Sequence, residues 1–426
     1  MQQNIFAIKA HILYAQTPQE IRCTEDGYLV CEAGRVAGVF PVLPEQYRDI
    51  RLFDESGKLL IPGLSDLHLH APQYSFRGMG MDLELLDWLN THTFPEEAKY
   101  KDLLYAQAAY RIFIDALLHS ATTRACIFAT IHREATELLM GMLEASGGVK
   151  GFVGKVNMDR NSPDYLREET GESLRETRRW LAGCSGKYQN IAPILTPRFT
   201  PACSDSLLRG LGELQWESGV PVQSHLSENE SEVAWVKSLC PDAAHYADSY
   251  DRFRLFGGEG CPTVMAHCVH CTAEELDLMQ ERGVFIAHCP QSNTNLSSGA
   301  APVRLFLERG MHVGLGSDIA GGAHLSIFRA MADAIQCSKL RWRLLDQSLR
   351  PLNIAEAFYL GTKGGGAFFG QVGSFEPGYL FDAVLLDDGS LPHPQPLTPL
   401  ERLERLIYLG DERNLAGKYI EGQRIF

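Results

Sequence analysis

Hydrophobic and polar positions divide the chain into two flanks and a different middle. Over the first 60 residues or so, apolar positions come in short β-prone runs at Ile5–Ala10, Ile12–Tyr14, Tyr28–Cys31 and Arg35–Phe40, broken by Gly27, Gly34 and Pro44. From about Gly370 the same texture returns, with β segments expected at Phe381–Leu386 and near the end at Lys418–Phe426. The middle alternates strand-like runs with helix-like stretches. Strands are expected at Gly63–His70, Ala121–Ala129, Gly151–Met158, Ile191–Thr196, Val220–His225, Thr263–His267, Val284–His288 and His312–Ser317, which makes eight. Between them fall helical patterns such as Ser173–Leu181, Ser204–Glu217, Glu230–Ser238, Ala273–Arg282 and Val303–Glu308.

Eight strands alternating with helices predict an α/β protein with a (β/α)8 TIM-like barrel. The two β-rich flanks predict a small β-sandwich domain built from both chain ends. The expected division is 1–61 and 370–426 for the β domain and 62–369 for the barrel. An open, doubly wound sheet lacks its usual support, because no strand is followed by Gly-x-Gly-x-x-Gly. Gly364-Gly365-Gly366 comes late and has no Walker lysine beside it.

Length and composition fit this picture. A chain of 426 residues can bury one large barrel and an accessory domain. Its 45% hydrophobic and 22% charged residues are those of a globular protein. A net charge of −14 argues against nucleic acid or an anionic membrane as partner, and no apolar run reaches the roughly 18 residues of a membrane span. The stretch Met1-Gln2-Gln3-Asn4-Ile5-Phe6 lacks the charged start and apolar core of an export signal. The eleven scattered cysteines are therefore expected as reduced thiols in a cytoplasmic protein. Cys261, Cys268 and Cys271 lie close to His267 and His270, but no second Cys-x-x-Cys pair completes a structural zinc knot.

The chemistry begins at Pro62-Gly63-Leu64-Ser65-Asp66-Leu67-His68-Leu69-His70. On a strand, residues two apart share a face, so His68 and His70 point the same way. Later strands end in His225, His267, His288 and, just after the eighth, Asp318. In a barrel these ends converge on one mouth. Imidazoles and a carboxylate there suit a borderline divalent ion such as zinc, which makes a nucleophile of water. Glu228, three residues after His225, is the candidate proton shuttle. Its alternative is a solvated carboxylate opening the helix at Glu230–Ser238.

Pro62-Gly63-x-x-Asp66-x-His68-x-His70, His225-x-x-Glu228, His267 and Gly316-Ser317-Asp318 together resemble the amidohydrolase superfamily. Within it, His70-Ala71-Pro72-Gln73-Tyr74-Ser75-Phe76, Thr196-Pro197-Arg198-Phe199 and Tyr408-Leu409-Gly410-Asp411-Glu412-Arg413-Asn414 are similar to strings of the guanine deaminase family. The match runs from about Leu60 to the C-terminus. It implies one zinc per chain, with ferrous iron as the other candidate ion, held by His68, His70, His225 and Asp318. It implies Glu228 as proton shuttle, with Asp318 sharing its proton work, and His267 near the attacking water. Gln73, Arg198 and Phe199 match purine-holding positions, next to His225, Glu228 and Asp318. Two-metal members use a lysine at the end of the fourth strand; here that strand ends without one, and Lys155 falls on the third.

The resemblance implies hydrolytic deamination of guanine to xanthine and ammonia, and a homodimer. The same centre could serve another ring, such as 8-oxoguanine, another aminopurine, a pterin, cytosine or a chlorotriazine. A non-catalytic scaffold should lack a ligand or Glu228, and this chain lacks none. Gln73 and Arg198 offer the donors and acceptors a purine edge needs, and Phe199 a face on which to stack. Trp88 belongs either to a core helix or to an interface.

Overall fold

Strands β1 (Ile5–Thr17), β2 (Glu20–Glu32), β3 (Arg35–Phe40) and β4 (Arg51–Pro62) begin the computed structural model, which describes residues 5–426. Met1–Asn4, most of the stretch inspected for an export signal, lie outside the described residues. The runs expected at Ile5–Ala10 and Ile12–Tyr14 are one strand. A bulge between Ala10 and Ile12, in the pairing with β2, absorbs the break in alternation. The β2–β3 turn is Ala33-Gly34 with φ of 51° and 78°, the backbone a two-residue hairpin needs to match strand twist.

Gly63 carries the chain out of this sheet. A Cβ there would fall 2.2 Å from Thr123 Oγ1, so only glycine lets the backbone pass this closely. The strands that follow are β5 (Leu64–His70), β6 (Thr122–Phe128), β7 (Lys150–Gly154), β8 (Val156–Asn157) and β9 (Ile191–Pro193). Then come β10 (Thr196–Pro197), β11 (Val222–Leu226), β12 (Thr263–His267), β13 (Phe285–His288) and β14 (His312–Leu315). β5-β6-β7-β9 form one parallel sheet and β11-β12-β13-β14 a second. The expected third and fourth strands are each split in two, where the chain bends to pair β10 with β8. Backbone hydrogen bonds cross both gaps between the four-stranded sheets. Gln223 N–H donates to the Leu195 carbonyl at 2.9 Å on one side, and Asp318 N–H to the His68 carbonyl at 2.8 Å on the other. Leu67, Cys126, Ile194, Val264, Ala266, Ala287 and Cys289 fill the space between the sheets, as in barrels of the TIM type.

Helices cover the outside. Ala273–Arg282 and Val303–Glu308 lie where the pattern places them, and the helix expected at Ser204–Glu217 spans Asp205–Ser218. Ser204 caps that helix through its side chain, and Gly219 ends it in the left-handed conformation.

β15 (Ala383–Leu386), β16 (Leu415–Ile420) and β17 (Gln423–Arg424) return to the first sheet, giving the order β17-β16-β15-β4-β1-β2-β3. Both chain ends thus build one seven-stranded mixed sheet. Its β3 edge bends back toward β15, with Val36 N–H donating to the Tyr379 carbonyl at 2.8 Å and Phe381 N–H to the Gly34 carbonyl at 2.9 Å. The sheet curls around Phe6, Ile8, Ile12, Leu29, Phe381 and Tyr419. On its other face Leu13, Ala15, Leu59 and Ile61 join the main core. The C-terminal flank, expected to be β-rich, also holds helix Pro399–Leu409, whose Leu403, Leu406 and Ile407 pack into that same core. No helix among the described residues is long and apolar enough to cross a membrane.

One buried ion pair joins the sheet to the barrel strands at the end away from the histidines. Arg124, near the start of β6, donates through Nε and Nη2 to Asp382 at 2.6 and 3.1 Å, and through Nη2 to Glu421 at 3.0 Å. Asp382 is fully buried. Arg124→Met strands its carboxylate without a cation, and urea unfolding is expected to show a loss of about 3–5 kcal/mol with bound metal unchanged. A loss below about 1 kcal/mol would show that this pair does not hold the two parts together.

Candidate metal and substrate site

β5 presents His68 and His70 on one face, their Nε2 atoms 3.2 Å apart. β11 brings His225, whose Nε2 lies 3.3 Å from that of His70. Asp318, three residues beyond β14, places Oδ1 3.2 Å from His68 Nε2 and 3.4 Å from His70 Nε2. All four come from the C-terminal ends of strands, the end where barrels keep their chemistry. Ser227, His267, Cys268 and Asp318 turn the chain out of the strands with φ of 47°, 74°, 51° and 46°, a left-handed backbone that non-glycine residues hold only where the surroundings enforce it. A Cβ on Gly316 would stand 2.9 Å from His68 Cβ. Its absence lets the end of β14 come close enough for Asp318 to reach the histidines.

This donor set fits a divalent cation. His225 Nδ1 lies 2.5 Å from the Arg198 carbonyl, so Nδ1 carries the proton and Nε2 the lone pair. Burial, reinforced by the neighbouring imidazoles, holds His70 and His225 well below the usual histidine range, and burial lowers His68 as well. Burial works against ionising Asp318, but His68 and His267 beside it outweigh that and bring its carboxyl down to about 2. Imidazole nitrogens and a carboxylate therefore crowd together with few protons to share, a donor set that suits a divalent cation. Asp66 supports the arrangement. Its Oδ1 accepts from His68 N–H at 3.2 Å and Ser317 N–H at 3.0 Å, tying β5 to the loop that carries Asp318.

Glu228 stands beside the cluster. It is buried, at 3% exposure, not the solvated helix-opening carboxylate of the alternative reading. Its Oε2 is 3.4 Å from His267 Nε2, and Ser298 Oγ donates to Oε1 at 3.3 Å. Its backbone N–H donates at 2.9 Å to Glu232, which with Asn229 forms the capping box of helix Glu230–Leu239. Burial, then Glu232 and Asp318, raise the Glu228 carboxyl well above the usual range. Asn293 Oδ1 lies 2.9 Å from His267 Nδ1. It fixes the proton there and turns the Nε2 lone pair toward Glu228 and, at 3.7 Å, Asp318.

A small pocket is lined by His70, His225, Glu228, His267 and Asp318 and edged by Gln73, Arg198 and Phe199 with Leu85, Trp88, Leu89 and Leu296. Trp88, read as core or interface, is buried and forms part of the wall. Glu97 is a residue the sequence reading missed. Gln73 Nε2 donates to its Oε1 at 2.8 Å and Arg198 Nη1 to its Oε2. In Phe94-Pro95-Glu96-Glu97 nothing in the spacing separates it from Glu96, which instead accepts from Ser75 and Lys99. His288 stays outside the cluster. Both its ring nitrogens are buried without a partner, and burial pushes it down to about 3. Lys155 donates to Glu168 at 2.8 Å rather than meeting the histidines.

The amidohydrolase family model matches residues 59–425. The guanine deaminase of Dictyostelium discoideum is 43% identical over 382 residues, covering 88% of this chain and 84% of that protein. That of Escherichia coli (strain K12) is 36% identical over 427 residues, covering 96% and 94%. Among solved structures, guanine deaminase from C. acetobutylicum with bound guanine in the active site superposes with a TM-score of 0.96 at 46% identity, covering 99% of this chain and 100% of that one.

A bound ion stabilises the fold by mass action, by about 2.7 kcal/mol at a hundredfold excess over its dissociation constant. Chelation is therefore expected to lower the melting temperature of the wild-type protein by several degrees. In His225→Ala, thermal unfolding should be the same with and without chelator. A chelator effect that survives in His225→Ala would place the ion elsewhere.

Proposed function

The chain belongs to the amidohydrolase family, in its guanine deaminase branch, and we infer that it hydrolyses guanine to xanthine and ammonia. The observation that carries this reading is the position of Glu228. A buried carboxyl with a raised affinity for a proton lines the same pocket as His70, His225, Asp318, Gln73, Arg198 and Phe199.

His68, His70, His225 and Asp318 would hold one zinc per chain. Bound there, it lowers the pKa of a water from about 16 toward about 7. The protein's own groups do the rest. Arg198 directs guanidinium N–H groups at the ring carbonyl, Gln73 meets the ring's polar edge, and Phe199 covers its face. As the water oxygen bonds to the carbon bearing the amine, Glu228 takes the water's proton and gives it to the neighbouring ring nitrogen. Its raised affinity for a proton suits both halves of that transfer. The one hydrogen that the oxygen keeps lies between ionised Asp318 and the His267 Nε2 lone pair, which are 3.7 Å apart. That remaining proton then passes from the added oxygen to the amine, the C–N bond breaks, ammonia leaves, and the ring carbon keeps the oxygen as a carbonyl.

We also read the two four-stranded sheets as one closed (β/α)8 barrel over 62–369. The curled sheet, drawn from residues up to 61 and from 370 onward, is read as the β-sandwich domain. Hydrogen bonds across both gaps and the return of β3 toward β15 support this. A homodimer has a candidate face in exposed Leu340, Leu344 and Leu345, and eleven free cysteines fit the cytoplasm.

Glu228→Gln keeps the shape of the site and removes the shuttle. It is expected to lose about 10² to 10⁴ in kcat while binding zinc normally. Near-wild-type turnover would remove Glu228 from the mechanism. Arg198→Ala should raise KM for guanine with metal content unchanged; an unaltered KM would place the purine elsewhere. Turnover of guanine, 8-oxoguanine, another aminopurine, a pterin, cytosine and a chlorotriazine, read as ammonia release and for the last also as chloride release, should favour guanine. A faster turnover of another ring would reassign the substrate.

A further inference from the structure

We propose that Glu97 is a positioning and specificity residue. It cancels the charge of Arg198, so that the pocket holds a neutral aminopurine by hydrogen bonds and does not retain the more acidic product. The inference rests on the guanine reading above and deepens it.

Glu97 is buried, and one carboxylate serves two residues of the pocket edge. Oε1 accepts from Gln73 Nε2 at 2.8 Å, and Oε2 accepts from Arg198 Nη1. The Arg198 and Glu97 side chains are each only 3% exposed. Away from water, opposite charges in contact attract far more strongly than at a surface, which keeps this carboxylate on the guanidinium. Phe94 flanks the guanidinium, its ring centre 5.2 Å from Arg198 Cζ. Among the described residues, Arg198 Nε and Nη2 have no protein acceptor, so these donors are left for a ligand carbonyl. Gln73 is fixed at both ends, because its Oε1 also accepts from Ala320 N–H at 3.1 Å. Its amide therefore cannot turn over, and it offers the ring one N–H and one lone pair.

Guanine is neutral and needs no counter-charge. Xanthine carries a second ring carbonyl between two N–H groups and loses a proton near neutrality. A bare guanidinium would hold that anion by charge-assisted hydrogen bonds, roughly twice as strong as neutral ones. With Glu97 in place Arg198 has no surplus charge to offer, and the product leaves as readily as a neutral purine.

Calorimetric binding to the metal-loaded enzyme tests this, with xanthine and neutral hypoxanthine as probes in mildly alkaline buffer, where xanthine is largely the monoanion. In Glu97→Gln, xanthine is expected to gain at least about tenfold in affinity relative to hypoxanthine, about 1.4 kcal/mol. Adding Arg198→Gln should abolish that gain, since the cation that holds the anion is gone. The KM of Glu97→Gln for guanine should rise more than kcat falls, because the Gln73 amide is no longer fixed. Equal weakening of both probes in Glu97→Gln, the outcome of a purely structural role, overturns the proposal. Should Glu97→Gln fail to fold, the wild type decides. Xanthine binding about tenfold or more tighter than hypoxanthine contradicts charge cancellation, and equal or weaker binding supports it. Ammonia release from guanine is measured alongside. Its absence counts against the guanine reading, while the two affinities judge Glu97 either way.

Discussion

The structure depends on bringing His68, His70 and His225 together around one carboxylate in a place that water does not reach freely. Nitrogen atoms 3.2 and 3.3 Å apart compete for the few protons among them, and each is a buried polar atom in want of a partner. A divalent cation turns that cost into cohesion. The arrangement makes sense for a centre that is filled, and the surroundings serve to keep it in place. The Arg198 carbonyl sets the tautomer of His225, Asn293 that of His267, and Asp66 bridges the strands that carry His68 and Asp318. Such outer contacts fix how the ligands are oriented and how basic they are.

The rest of the fold can be read as support for that mouth. The core between the two sheets is packed with small and medium apolar side chains below the histidines. The curled sheet from both chain ends is joined at the opposite end through Arg124, Asp382 and Glu421. Strength and chemistry are thus kept at different ends of the parallel strands, a separation typical of barrels. Left-handed Ser227, His267, Cys268 and Asp318 lie at the chemical end, where a rigid scaffold can bear their cost.

Much of this was legible in the sequence, for physical reasons that also show where legibility stops. A strand has a period of two, so His68 and His70 had to share a face. A histidine or aspartate at the end of an apolar run had to lie at a strand end, and strand ends in a barrel meet. The resemblance proposed which of these would bind a metal and which would hold a purine, and among them His70, His225, Asp318, Gln73, Arg198 and Phe199 line one pocket. What escaped depends on contacts between distant segments. Glu97 and Glu96 are indistinguishable until Gln73 and Arg198, 24 and 101 residues away, arrive beside one of them. Trp88 could not be assigned until the pocket it walls existed. Helix Pro399–Leu409 was hidden in a flank whose other segments read as β. The breaks in the third and fourth strands follow from a bend that no local pattern encodes.

The most direct test of the whole account is to strip the protein of metal and return zinc stepwise while following ammonia released from guanine. The account predicts negligible release from the stripped protein and a rise that levels off at one equivalent per chain. Full activity in the stripped protein, or a zinc-saturated protein that leaves guanine intact, would contradict it.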